Sequence, residues 1–190
     1  MNVQQEKPKR TCTKTYASYT SFKQDIREDF NKRCGYCDDL DLFHGGAGGY
    51  HIDHFKPHSL EQFSALKTEY SNLVYSCPFC NRAKSNKWKD GDGFIDPCEK
   101  EYDSHLRRNN QGQIVSKTKQ GQYMHKNLNL HLKRHELLWI IEKLQHQNQI
   151  INSEMQRLGQ GHPKELDMLR EFHNIQNKID EYINIFHTEI

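Results

Sequence analysis

Residues 71–87 read SNLVYSCPFCNRAKSNK, and the order of residue types in this stretch decides how the chain around it folds. Asn72-Leu-Val-Tyr-Ser76 is apolar and aromatic in the manner of a short buried strand. Pro78 stands where proline opens a helix, so PFCNRAKSNKWK (78–89) predicts a helix carrying Cys80 and Asn81 near its start. Cys77 and Cys80 are separated by two residues, and the same spacing recurs upstream in Cys34-Gly-Tyr-Cys37. Two such knuckles offer four thiolates, the complement of a closed tetrahedral zinc site, with a redox dithiol or four plain buried cysteines as the alternatives. The pairs lie too far apart for a compact zinc ribbon, so the metal would clasp a sizeable insert. Cys12 and Cys98 stand alone and read as ordinary thiols, an extra ligand role being left open.

The totals agree with a small, stapled core. Only 34% of the 190 residues are hydrophobic, and mean hydropathy is −1.00. A chain of this kind buries little apolar area and leans on a metal or a partner. Twenty-seven Lys and Arg against 25 Asp and Glu give a net charge of +2, which neither favours nor excludes nucleic acid. There is no run of 18 apolar residues, and no apolar segment follows MNVQQEKPKR. The expectation is a cytoplasmic protein with no membrane span, where reducing conditions favour thiols and metal ligands over disulfides.

Along the chain, residues 1–20 carry Lys7, Lys9, Arg10 and Lys14 without apolar periodicity and predict a loosely ordered basic arm. SFKQDIREDFNKR (21–33) spaces Phe22, Ile26 and Phe30 four apart, an amphipathic helix with Ser21 as N-cap. HGGAGGY (44–50) lacks the Lys-Ser/Thr of a phosphate-binding loop. Tyr50–Phe55 reads as a strand, 58–71 as a long polar connection, and 91–126 as turn-rich with a hairpin around Asn109–Gly112. In the final third, Leu137, Ile141, Leu144, Asn148, Ile151, Met155 and Leu158 step by fours and threes. Leu169, Phe172, Gln176, Ile179, Ile183 and Phe186 repeat the pattern beyond GQGHP (159–163), predicting an antiparallel helical hairpin. The domain plan is an arm (1–20), a core domain (21–128) and a hairpin (129–190) whose stripes serve mutual burial, self-association or a partner.

Inside the cysteine clasp lies YHIDHFKPHS (50–59). Asp53 and Asn81 offer oxygen ligands of the type Mg²⁺ or Mn²⁺ prefers, and His54 beside them is free to be a base. The plainer alternative is a hydrogen-bonded scaffold. Strand alternation would send Asp53 and His54 to opposite faces, so their joint use predicts a distortion right after Asp53, helped by Pro57. His51 shares the face of Asp53 and is a possible helper; His58 is a loop residue able to touch a phosphate. Arg82, Lys84, Lys87 and Lys89 could meet phosphates, with Trp88 for stacking, or form a solvated helix face.

Taken together, CGYC, HIDHFKP and SNLVYSCPFCNRAKSNK resemble the HNH endonucleases of the ββα-metal (His-Me finger) superfamily. The family pattern is C-x2-C, a D-H-x-x-P segment, N-L, and C-x2-C-N-x-x-K, matched here from residue 34 to about 89 with order and spacing intact. The resemblance implies an α+β fold: a zinc-clasped ββα-metal nuclease core with a mostly helical C-terminal extension. It implies that Asp53 binds the catalytic metal, His54 is the general base, Asn72 ties down the loop that orients His54, and Asn81 is the second metal ligand. Lys84, where the pattern has its lysine, would lie against substrate phosphate; Arg82, Lys87 and His58 are expected beside it from the reading of the residues alone. Some members use histidine ligands where this chain has Asp53 and Asn81, which points to Mg²⁺ or Mn²⁺ rather than zinc or nickel as the catalytic ion. The expected activity is hydrolysis of nucleic acid, DNA foremost, to 5′-phosphate and 3′-hydroxyl ends; the alternative is a non-cleaving zinc-containing binding module. More loosely, FIDPCEKEYDSHLRRNNQGQI (94–114) and LNLHLKRHELLW (128–139) look similar to the HNH partners of ATPases in antiphage systems such as Septu and certain retrons. That likeness implies an ATPase partner.

Overall fold

The computed structural model describes residues 1–189, which divide into two compact units, 1–132 and 133–189. In the first, strand β1 (His51–His54) pairs antiparallel with β2 (Leu73–Ser76), in the register His51 to Ser76, Ile52 to Tyr75, Asp53 to Val74 and His54 to Leu73. Helix α2 (Pro78–Lys84) follows directly. Every residue of β2 is buried, as its apolar and aromatic composition requires. The result is a ββα unit with the four paired cysteines at its base, in an α+β fold with long C-terminal helices.

Helix α1 (Lys23–Asp29) packs Phe22, Ile26 and Phe30 into the core, following the expected four-residue spacing. The chain enters it through a 3-10 turn, Tyr19–Phe22, capped by Ser18 rather than Ser21: the Ser18 hydroxyl accepts from the Thr20 N–H. Helix α2 stops at Lys84 instead of running to residue 89. Ser85 adopts φ +47° and ψ −132°, a conformation no helix can continue through. Beyond it come α3 (Tyr102–His105), a hairpin of β3 (Leu106–Arg108) and β4 (Ile114–Ser116), and α4 (Lys119–Asn127), whose N-cap Thr118 accepts from the Gly121 N–H. The hairpin turns at Asn109–Gly112 as read from the sequence, whereas α4, which contains a glycine and few apolar residues, left no periodic signal.

Residues 1–20 are not a loose arm. Val3 is 1% exposed and its N–H donates to Asp103. The Gln4 amide bridges the carbonyls of Gly35 and Pro97. Arg10 is spent internally, on Asp96 at 3.0 Å and on the Leu73 carbonyl. Asp29, at the end of α1, accepts from the Thr11 N–H and hydroxyl, from the Cys12 N–H and from the Tyr70 hydroxyl. A polar segment is ordered here by long-range hydrogen bonds that have no sequence period. The first unit also extends to residue 132 rather than 128, because Leu128 and Leu130 belong to its buried core.

The second unit is a hairpin of α5 (Lys133–Leu158) and α6 (Glu165–Glu189). Its antiparallel register is set by Arg134 over the Phe186 ring at one end and by Asn148 donating to Gln176 midway. The two polar residues that interrupt the apolar stripes are therefore partners of each other, which favours this alignment over a slipped one. Leu169, read as a seam residue, is instead 38% exposed, and Met168 turns inward more than it does. No described helix is long and apolar enough to cross a membrane.

Candidate active site

The two knuckles converge. The sulfurs of Cys34, Cys37, Cys77 and Cys80 all lie within 4.8 Å of one another and are buried, with Cys37 Sγ 3.7 Å from Cys77 Sγ. A tetrahedron with zinc–sulfur bonds of about 2.3 Å has edges of about 3.8 Å, so the donor set fits zinc in both chemistry and spacing. Local hydrogen bonds hold the knuckles in place. The Cys77 sulfur accepts from the Cys80 N–H at the first turn of α2, and the Cys34 N–H donates to the Asp39 carbonyl. Gly35 donates its N–H to Tyr75, and a Cβ there would sit 2.7 Å from the Phe30 ring, so only glycine lets the knuckle lie against β2. Buried Arg108 and Tyr102 donate to the Cys37 and Tyr36 carbonyls, tying the region after residue 100 to the same corner.

Above this corner a cleft of about 260 Å³ is bordered by Ile52, Asp53, His54, Pro57, His58, Ser59, Asn81, Ser85 and Asn86. β1 stays regular through His54, and the Phe55 N–H still donates to the Asn72 carbonyl. The expected distortion after Asp53 is thus absent; the bend falls at Phe55 and Lys56. Asp53 and His54 nonetheless reach one cleft. Three consecutive residues of β1, Ile52, Asp53 and His54, border it together with Asn81 of α2. Asn81 comes next to Cys80 on α2, which locks its position to the cysteine corner.

His54 is 8% exposed, and its Nε2 lies 2.8 Å from the Lys67 carbonyl oxygen. A carbonyl only accepts, so Nε2 carries the hydrogen and Nδ1 keeps its lone pair. Burial pushes the His54 pKa below its ordinary value, opposed by that hydrogen bond, a shift that favours the neutral imidazole. Asn72 holds both sides of this arrangement. Its Oδ1 accepts from the Lys56 N–H at 2.8 Å, and its Nδ2 donates to the carbonyls of Lys56 and Leu66, residues adjoining the bend and Lys67.

Residues 34–87 match the HNH endonuclease family model. The chain carries an HNH endonuclease domain. No curated protein and no solved structure matches the chain. An HNH endonuclease hydrolyses phosphodiesters and uses a divalent metal, and the cleft is where the HNH domain brings Asp53, His54 and Asn81 together.

Within the HNH domain, Lys84 is the main correction. Its side chain is fully buried, 3.0 Å from Asp53 Oδ2, and donates to the His54 carbonyl at 2.7 Å. It cannot lie against a substrate phosphate. Tyr36, between two of the zinc-binding candidates, donates to the same Asp53 oxygen at 2.5 Å. Burial raises the Asp53 pKa and lowers that of Lys84, while their pairing opposes both shifts. Asp53 Oδ1 makes a long 3.4 Å contact to Lys84, and Asp53 and Asn81 both border the cleft; a carboxylate and a carboxamide oxygen are the donor types that fit Mg²⁺ or Mn²⁺. Breaking a buried ion pair leaves a bare charge. Lys84→Met is expected to cost about 3–5 kcal/mol in denaturant unfolding, against about 0.5 kcal/mol or less for Lys87→Met at the exposed position. Equal stabilities with weakened substrate binding would instead restore Lys84 to the phosphate.

The remaining expected residues divide. His58 borders the cleft, its ring edge-on to His54 at 4.3 Å. Arg82 and Lys87 are exposed on and just beyond α2, in line with a role toward phosphates. His51 is exposed at the far end of β1 and does not border the cleft. Trp88 is engaged internally: its ring makes T-shaped contacts with Phe55 and Phe63, and its Nε1 donates to Asp90. Tyr36, the Lys67 carbonyl, Ser59, Ser85 and Asn86 were missed. Only Tyr36, set between two spaced cysteines, carried a signal that could have found it.

Proposed function

We propose that this HNH domain is a divalent-metal-dependent endonuclease that cuts DNA to 5′-phosphate and 3′-hydroxyl ends, with His54 as general base. The observation that carries the reading is the meeting of Asp53, His54 and Asn81 in one cleft, with the His54 Nε2 held by a carbonyl so that Nδ1 is the basic atom. His54 Nδ1 takes a proton from the water that attacks phosphorus in line, a step for which a neutral imidazole is suited. Asn72 keeps the Lys56 and Leu66 segments in register so that the Lys67 carbonyl stays opposite His54. Asp53 and Asn81 would hold a Mg²⁺ or Mn²⁺ ion, which would supply positive charge to stabilise the transition state of hydrolysis. His58, Arg82 and Lys87 receive the flanking phosphates.

The test is incubation of the purified protein with supercoiled plasmid, single-stranded DNA and RNA in Mg²⁺, Mn²⁺ or EDTA, with metal analysis alongside. The expected result is one zinc per chain and plasmid cleavage that needs added divalent ion, with nicks that DNA ligase reseals. Intact substrates in all conditions, from a zinc-loaded protein, would reduce the HNH domain to a binding module. A role as the nuclease of an ATPase-paired antiphage system draws support from the likeness of residues 94–114 and 128–139 to such partners. The hairpin of α5 and α6 is then the surface for that ATPase or for a second copy. Co-expression with a candidate ATPase followed by light scattering on the purified complex tests it.

A further inference from the structure

The base is braced by a residue outside the matched stretch. Tyr19 lies 15 residues before the HNH match begins at residue 34, yet its ring meets the His54 ring edge-on, with centroids 4.7 Å apart and planes at 70°. His58 meets the same imidazole from another side, 6.5 Å from Tyr19. A single hydrogen bond from Nε2 to the Lys67 carbonyl fixes one point of the ring and leaves it free to pivot about that line. Two aromatic neighbours on different sides remove the pivot. Tyr19 is itself held: Ser18 caps its turn, and Phe22 in the same turn is 1% exposed, wedged against Tyr16 and Tyr70. Tyr70 is in turn hydrogen-bonded to Asp29, the residue that anchors Thr11 and Cys12.

We propose that Tyr19 is a positioning residue for His54, so that the N-terminal segment completes the catalytic cleft of the HNH domain. The inference rests on His54 acting as the base. What Tyr19 contributes is its ring. An edge-on aromatic contact biases a side-chain equilibrium by about tenfold at most, and that is the scale of the expected effect.

The experiment compares Tyr19→Leu and Tyr19→Phe with the unaltered protein in steady-state cleavage, with His54→Ala as background. Tyr19→Leu is expected to lower kcat about tenfold and leave KM within about twofold, because the loss is in orientation and not in substrate contact. Tyr19→Phe keeps the ring and should match the unaltered protein within about twofold. An unchanged kcat in Tyr19→Leu, a rise in KM alone, or an equal loss in both variants would overturn the proposal. A second measurement is independent of any cleavage. In proton NMR, the ring protons of Tyr19 and His54 should show a mutual Overhauser effect, and the His54 resonances should move in Tyr19→Leu but not in Tyr19→Phe. If the protein cleaves nothing, the nuclease reading fails; if the Overhauser effect is missing, the brace fails.

Discussion

Replacing His54 with alanine is expected to cut cleavage by about 10²–10⁴-fold, the usual contribution of a positioned general base. The same substitution leaves the Lys67 carbonyl without its partner, which costs about 1–3 kcal/mol of stability where the carbonyl stays dry. A lowered melting temperature therefore accompanies the loss and could be mistaken for its cause. His54→Gln separates the two, because the glutamine amide nitrogen reaches the Nε2 position and can donate to the Lys67 carbonyl yet cannot take a proton. Both variants should be inactive under single-turnover conditions, and His54→Gln should recover part of the lost stability. Wild-type cleavage by either one would remove His54 from the proposed role. Asp53 needs similar care. Asp53→Ala would strand the buried Lys84 cation, so Asp53→Asn, which keeps an acceptor for Lys84 and Tyr36, is the cleaner probe of metal binding.

Replacing Cys37 with serine is expected to abolish the fold of residues 1–132 rather than loosen it. Structural zinc in small domains binds with about 10–16 kcal/mol, while a whole domain is typically stable by about 5–15 kcal/mol. The first unit is built around this corner: Tyr36, Tyr75, Tyr102 and Arg108 are all buried against or hydrogen-bonded near the knuckles. Loss of near-UV circular dichroism from the buried tyrosines, together with zinc content falling to near zero, is the expected readout. A strong chelator should reproduce it in the unaltered protein. A Cys37→Ser variant that keeps its near-UV spectrum without zinc would mean that the four cysteines pack as thiols.

Much of the domain was legible from residue types at fixed spacing. Two C-x2-C pairs, a strand between turn residues and a proline at a helix start are local signals, and the cysteine corner, β1, β2 and α2 sit where they indicated. The heptad stripes likewise marked α5 and α6, and even the polar interruption proved informative, since Asn148 and Gln176 face each other. Lys84 was misplaced because a lysine beside Arg82 and Lys87 has the same local signature whether it faces solvent or a buried carboxylate. The basic residues near the N-terminus misled in the same way, Arg10 being engaged with Asp96 instead of solvent.

What the sequence by itself determined is the set of groups, four thiols, one carboxylate, one carboxamide and one imidazole, in the order that the clasped ββα unit brings together. Those are statements about side-chain identity and short-range geometry, which chain spacing constrains directly. What only the tertiary structure decided is how each group is held. Lys84 is an internal counter-charge, Tyr36 a donor to Asp53, the Lys67 carbonyl an anchor for the His54 ring and Tyr19 its neighbour. The physical reason is that these contacts come from residues 13 to 35 positions away along the chain. A backbone carbonyl or a buried cation, moreover, looks like any other until packing removes it from water.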